Sequence, residues 1–470
     1  MKEKISVIPK PVSINYTGGF FKSNTVPQII TKNVNAKNAE EYKLVITQDQ
    51  ITIEAETPAG VYHGQQTFRQ LVLSEYKNGE LVLPCAEITD YPRFSWRGFM
   101  LDCSRYFYSV EFIKNLIDIL SLHHINRFHW HLTDDQGWRL PVAEYPLLTE
   151  IGSRRVDRRY PESTYVGGFY TENDIKEIVS FASSRHIEVI PEVDLPGHTS
   201  AVLASYPGLG CTGGPYRTED RFGIFEDVLC AGNDKILDLF AAIFDTLAKL
   251  FPSQWVHIGG DEVLFNRWQE CPKCQKKLAE LGLNKIPELQ SWITQKLVKM
   301  LLERGKTAIG WDEILDASEK FPLPKEAVVM SWRGKAGGIK ASNSGHKVIM
   351  TPNTEGCYLD HKQFDSKEEP GHLLQGVAAV YKTYSMEPIP SEVKNENTNL
   401  ILGGQCNLWS EVIYAGKIAE YMIFPRICAL AETVWTPKEE KDFEDFSKRL
   451  EVHRLRLDAL GVNQYRGALK

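Results

Sequence analysis

The residues best suited to chemistry are Asp261 and Glu262, adjacent carboxylates that follow the apolar run Trp255-Val-His-Ile-Gly-Gly. Like charges side by side, partly withdrawn from water, push one carboxyl upward into the range where it works as a general acid. Strand alternation would aim the two side chains apart, so both reach one site only if the strand ends near Gly260, and Gly259-Gly260 supplies such a break. Elsewhere along the chain further polar and aromatic groups stand at the ends of short apolar runs. They are Asp102 and Arg105; Asp134 and Asp135; Glu192, Asp194 and His198; Trp311 to Glu313; Trp332; Asn353, Tyr358 and Asp360; and Trp409 with Glu411. Carboxylates dominate, and Trp311, Trp332 and Trp409 join them. Flat aromatic faces suit the C–H face of a sugar while Asp, Glu and Arg take its hydroxyls, so the mixture points to a carbohydrate pocket in which a carboxylic acid protonates a glycosidic oxygen. A single Trp at such a place is ordinarily core packing; three beside carboxylates argue otherwise.

These groups need a scaffold that brings many strand ends to one face. From Ser95 onward short apolar strands alternate with amphipathic helices, the pattern of βα units around a parallel sheet. Eight strands are predicted, at 97–103, 125–131, 187–193, 255–259, 307–311, 328–332, 348–351 and 400–404, the number that closes a (β/α)8 barrel, whose active sites lie at the C-terminal ends of the strands. Helical stripes such as Ile113, Leu116, Ile117 and Leu120, or Ile236, Leu239, Phe240, Ile243, Phe244 and Leu247, read as core-facing. Before the barrel, 43–47 and 51–55 alternate as strands and 62–76 reads as a helix after Pro58-Ala-Gly. With a break at Tyr91-Pro92, the expected fold is α/β: a small α+β domain over 1–92 and a catalytic (β/α)8 TIM barrel over 93–470.

At the level of motifs the chain resembles glycoside hydrolase family 20, the β-N-acetylhexosaminidases. The resemblance runs from Trp96-Arg-Gly-Phe-Met-Leu-Asp-Cys-Ser-Arg105 through His129-Trp-His-Leu-Thr-Asp-Asp-Gln-Gly-Trp-Arg139, Pro191-Glu-Val-Asp-Leu-Pro-Gly-His198 and His257-Ile-Gly-Gly-Asp-Glu262. It continues to Gly310-Trp-Asp-Glu313, Tyr358-Leu-Asp360 and Asn407-Leu-Trp-Ser-Glu411. It implies exo-acting, retaining release of terminal β-linked GlcNAc or GalNAc from a glycan, with the substrate's own acetamido oxygen attacking the anomeric carbon to form an oxazolinium intermediate. By the same resemblance Glu262 is the acid and then the base, Asp261 orients the acetamide N–H and stabilises its developing charge, and Tyr358 holds the acetamide oxygen. Trp311, Trp332 and Trp409 wall the pocket; Arg105, Asp360 and Glu411 bind hydroxyls; and Asp134 and His198 form a chain to the acid. Glu192, Asp194, Asp135 and Glu313 are expected to play supporting roles. No cofactor is implied.

Bulk properties narrow the alternatives. A composition of 43% apolar and 24% charged residues suits a large packed core, and a net charge of −7 with no basic cluster argues against a nucleic-acid partner. No stretch approaches a membrane span, and the first residues carry charge without an apolar core, so the chain as written reads as cytoplasmic; a chain whose leader had been replaced by Met would read the same. A homodimer is the assembly considered. Cys271-Pro-Lys-Cys274 has the spacing of half a zinc site, but no second CxxC or HxxxH follows, so no structural metal is expected; Cys211 and Cys230 could pair in an exported protein. His129-Trp-His131 at a strand end makes a metal-dependent barrel hydrolase the rival enzyme, and a non-catalytic sugar-binding barrel is the rival from another class. The long Gly-, Tyr- and Arg-containing loops 135–170 and 204–232 are expected to shape the leaving-group side.

Overall fold

The computed structural model describes residues 4–157, 165–316, 318–374 and 376–470. Met1–Glu3, among the first residues considered above, and residues 158–164 of the loop 135–170 lie outside them. Eight parallel strands close a barrel in chain order: Trp96–Asp102, Arg127–His131, Glu188–Glu192, Trp255–His257, Thr307–Trp311, Val328–Ser331, Val348–Met350 and Ile401–Leu408. The expected (β/α)8 fold is therefore present. Inside, Trp96, Ile190, Trp255, Ile309, Val328, Met330 and Ile349 fill the barrel and Trp311 caps them, so the site rests on a packed floor and not over a pore. Outside, the predicted helical stripes are buried between helices and sheet, as in Val110–Leu122 and Lys235–Leu250. Register then aligns polar groups at the strand ends: Asp102 pairs with His131, His131 with Glu192 and Glu192 with His257.

The N-terminal unit is a six-stranded sheet carrying the helix Pro58–Glu75. That helix begins four residues earlier than the expected 62–76. Pro58 is not a breaker here but the first helical residue, where its fixed φ is pre-organised, and the Thr57 hydroxyl accepts the Gly60 N–H at 3.2 Å as cap. The sheet is tied to the barrel's last helices. Trp435 Nε1 donates to Asp90 at 2.9 Å, and Glu432, fully buried in the helix Arg426–Trp435, accepts from the Lys10 backbone at 3.0 Å and from both terminal nitrogens of Arg449 at 2.7 Å.

Cysteine placement corrects the sequence reading. Cys230 lies 3.7 Å from Cys271 and 3.6 Å from Cys274, and Cys211 lies 3.8 Å from Cys274, so the partners of the CxxC pair are found upstream of it and not downstream. Cys211 and Cys230 do not form an exclusive pair. No helix among the described residues is long and apolar enough to cross a membrane.

Removing one member of a buried ion pair leaves an uncompensated charge. Glu432→Ala is therefore expected to destabilise the protein by about 3 kcal/mol, read as a lower denaturant midpoint, and to speed proteolysis of the N-terminal segment that Glu432 holds through Lys10.

Candidate active site

The strand Trp255–His257 stops at the level of Glu192, and the next residues leave extended geometry at once. Gly259 (φ 66°) and Gly260 (φ 95°) take left-handed conformations, and so does Glu262 (φ 50°), a strained state for a residue with a side chain. The turn cancels strand alternation and brings Asp261 and Glu262 to one cavity, as the glycine pair predicted. A Cβ on Gly259 would lie 1.8 Å from the Asp194 carboxylate, whose Oδ1 accepts the Gly260 N–H at 3.1 Å. Asp194 thus braces the turn from the neighbouring strand end. Burial, with Asp194 beside it, pushes the Asp261 carboxyl well above the usual range; burial likewise lifts Asp194 to about 7.

The cavity, about 350 Å³, is lined by Arg105, Asp261, Glu262, Trp311, Trp332, Tyr358, Asp360, Trp409 and Glu411 from the predicted set, and also by Asn353, His361, His372 and Leu374. Trp332 stacks on Tyr358 (centroids 6.0 Å apart, planes at 10°), and Trp409 stands between Tyr358 (6.2 Å) and Trp311 (5.7 Å). Tyr358 is aimed by a parallel bridge to Asn407, two residues before Trp409. Burial keeps its phenol protonated, hence a donor. Arg105 is held as a fork: Nη2 meets Asp134 at 2.9 Å, Nη1 meets Asp102 at 3.3 Å, Nε meets Gln136 at 3.0 Å, and Glu411 lies 3.8 Å away. Asp102 also accepts the backbone N–H groups of Ser104, Arg105 and Ser410, joining the first and last strand ends. Asp261 Oδ1, Asp360 Oδ1 and Glu411 Oε2 are buried without a hydrogen-bond partner, acceptors left for a ligand's N–H and hydroxyl groups.

Asp134 and His198 are not among the residues that line the cavity; they stand behind it. His198, itself at φ 50°, directs Nδ1 to both Asp134 (3.2 Å) and Asp135 (3.0 Å) and Nε2 to Glu262 (3.4 Å). Burial opposes its charge, but Asp134 above all raises the imidazole well over its ordinary value, so the ring faces Glu262 as a cation. Asp135 also binds the Ser200 N–H and hydroxyl, so it orients His198 more directly than the sequence reading allowed. Beneath them lies the HxH motif. His131 and His129 reach Glu192 at 2.6 and 2.9 Å, His257 reaches it at 2.9 Å, and Trp311 Nε1 donates to it at 3.0 Å, all at complete burial. Despite burial, the surrounding imidazoles, His131 first, hold Glu192 well below the carboxylate range. These histidines bind a carboxylate that fixes Trp311, which gives the motif a role other than the metal chelation considered above. Glu313 accepts from Trp332 Nε1 at 2.9 Å, and burial raises its carboxyl to about 8.

Carboxylates and aromatic rings converging from successive strand ends on a monosaccharide-sized cavity define the class: a barrel built for carbohydrate chemistry. The chain belongs to glycosyl hydrolase family 20. The family's catalytic-domain model matches residues 94–438 and its domain 2 model residues 31–91. A β-hexosaminidase of Porphyromonas gingivalis is 43% identical over 91% of this chain and 54% of its own length, and one of Vibrio furnissii 36% identical over 83% and 64%. The chain thus spans a little over half to just under two thirds of those two relatives. A solved exo-β-N-acetylglucosaminidase of Vibrio harveyi, in complex with N-acetylglucosamine, superposes with a TM-score of 0.90 at 32% identity, covering 98% of this chain and 78% of its own.

The turn leads to a specific expectation. Gly259→Ala must displace Asp194 and with it Asp261; misplacement on the ångström scale lowers kcat by about 100-fold, while far-UV circular dichroism stays unchanged.

Proposed function

We propose that this protein is an exo-acting, retaining β-N-acetylhexosaminidase that releases terminal β-linked GlcNAc or GalNAc from glycans by substrate-assisted catalysis. The observation that carries the reading is the set of unpartnered buried oxygens on Asp261, Asp360 and Glu411 around one small aromatic-walled cavity. A volume of about 350 Å³ is at the lower end for ligand sites and suits one sugar residue with its acetamido group, which favours exo action.

In this reading Arg105, Asp360 and Glu411 take the ring hydroxyls, and Trp311, Trp332 and Trp409 enclose the acetyl group and the ring. Tyr358 donates to the acetamide oxygen and Asp261 accepts the acetamide N–H, which together turn that oxygen toward the anomeric carbon. As the oxygen attacks, the glycosidic bond breaks and Glu262 gives its proton to the departing oxygen. Positive charge spreads over the oxazolinium ring beside Asp261, whose carboxylate is pre-placed for it. Glu262, now an anion, faces the cationic His198 at 3.4 Å, and then takes a proton from the water that opens the ring with net retention. Glu262 is partly exposed and also lines a second cavity of about 350 Å³ with Val263, Phe265, Gln290, Glu313 and Arg333, and in this reading that cavity takes the leaving group.

Release of p-nitrophenol from the β-GlcNAc and β-GalNAc glycosides, but not from the β-glucoside, is the expected result; equal cleavage of the glucoside overturns the reading. Glu262→Gln is expected to lower kcat at least about 100-fold with KM little raised, whereas near-wild-type turnover removes it as the acid. The Asp261 shift gives a pH dependence. Its carboxyl, raised in the free site by burial with Asp194 beside it, is protonated at lower pH, but the acetamide N–H requires the anion, so binding expels a proton and tightens as pH rises toward and through that raised range. Calorimetry of N-acetylglucosamine binding in buffers of different ionisation enthalpy measures that release; proton uptake would contradict it.

A further inference from the structure

Cys211, Cys230, Cys271 and Cys274 come from three separate stretches of chain, yet their sulfurs all lie within 4.8 Å of one another. The shortest separations, 3.6, 3.7 and 3.8 Å, are far longer than the roughly 2.05 Å of a disulfide. They match instead the edge of a thiolate tetrahedron: with Zn–S of about 2.3 Å, tetrahedral geometry puts sulfurs about 3.8 Å apart. We propose that these four cysteines hold a structural zinc ion.

The backbone around them is built for such an ion. Cys271 is the N-cap and Cys274 the third residue of the helix Pro272–Glu280, so the CxxC pair sits where helix N–H groups and the helix dipole favour negative charge. Gly232 follows Cys230 by two residues, and its backbone N–H is directed at the sulfurs of both Cys230 and Cys274. A Cβ there would lie 2.1 Å from the Lys273 carbonyl carbon, so only glycine lets the two knuckles approach. All four ligand positions are taken by sulfur, which makes a closed site of the structural kind with no open position for substrate.

The site also has something to hold. Cys211 and Cys230 stand at the two ends of one loop, closed by a bridge between Gly210 and Leu229, and the metal would clamp both ends to Pro272–Glu280, the second helix after the Asp261-Glu262 turn. From that base the loop reaches the catalytic cavity's supports: the Glu219 N–H donates to the Asp135 carbonyl at 2.9 Å, and Gln136 Nε2 donates to the Arg221 carbonyl at 2.9 Å. Gln136 in turn holds Arg105 Nε, so the clamp bears on sugar binding through Gln136 and on His198 through Asp135.

The test is metal analysis of the full chain purified without chelator. One zinc per chain is expected, released into a chromogenic indicator when a mercurial modifies the thiols. After removal and reconstitution with Co²⁺, thiolate-to-cobalt charge-transfer bands with tetrahedral d–d bands are expected. Cys271→Ser/Cys274→Ser should lose the metal, lower Tm and raise KM for the glycoside more than it lowers kcat. If that variant fails to fold, metal content and the cobalt spectrum of the unaltered chain decide the matter. Metal-free protein whose four thiols are free or joined in two disulfides, or iron in place of zinc, would overturn the proposal.

Discussion

Everything at the site depends on a backbone constraint: two consecutive carboxylates must face one cavity at the end of a strand whose geometry sends neighbours to opposite sides. The protein meets it by ending the strand at His257 and passing through left-handed Gly259, Gly260 and Glu262. Such a path is costly for Glu262 and holds only because its surroundings over-determine it. Asp194 grips the Gly260 N–H, Gln290 donates to the Gly260 carbonyl at 2.7 Å, and Ile314 fills the space against the glycine. The strain lies where the proton is to be moved.

A second layer solves an electrostatic problem. The strand ends concentrate Asp102, Asp134, Asp135, Glu192, Asp194, Asp261, Glu313, Asp360 and Glu411 in little volume. Cationic His131 and His198 and the Arg105 guanidinium offset Glu192, Asp134 and Asp135 from within, while Asp261, Asp360 and Glu411 lie in surroundings that favour their neutral forms. The separation of environments gives the carboxylates different roles. Glu192 and Asp134 fix imidazoles and Arg105, and Asp261, Asp360 and Glu411 face the cavity, where a ligand's N–H and O–H groups supply what the empty site lacks.

Much of this was legible in the sequence because it rests on local signals. The eight strands, the helical stripes and the Gly-Gly break before Asp261 are periodicities and conformational preferences that a chain carries openly. What depends on side-chain direction was not. His361 and His372 reach the cavity from an irregular stretch with no period to announce it. The start of the first helix was misplaced because Pro58 reads as a breaker until Thr57 is recognised as its cap. The gathering of four cysteines joins positions up to 63 residues apart, a distance over which spacing rules for metal sites are silent.

The central claim is that the substrate's acetamido oxygen is the nucleophile that Asp261 and Tyr358 aim. The most direct measurement compares kcat/KM for p-nitrophenyl glycosides whose 2-acetamido group bears zero, one, two or three fluorines. Each fluorine withdraws electron density from the acyl oxygen without altering the leaving group, so the rate should fall steeply along the series. A rate indifferent to fluorination would mean that a group of the protein, and not the substrate, attacks the anomeric carbon.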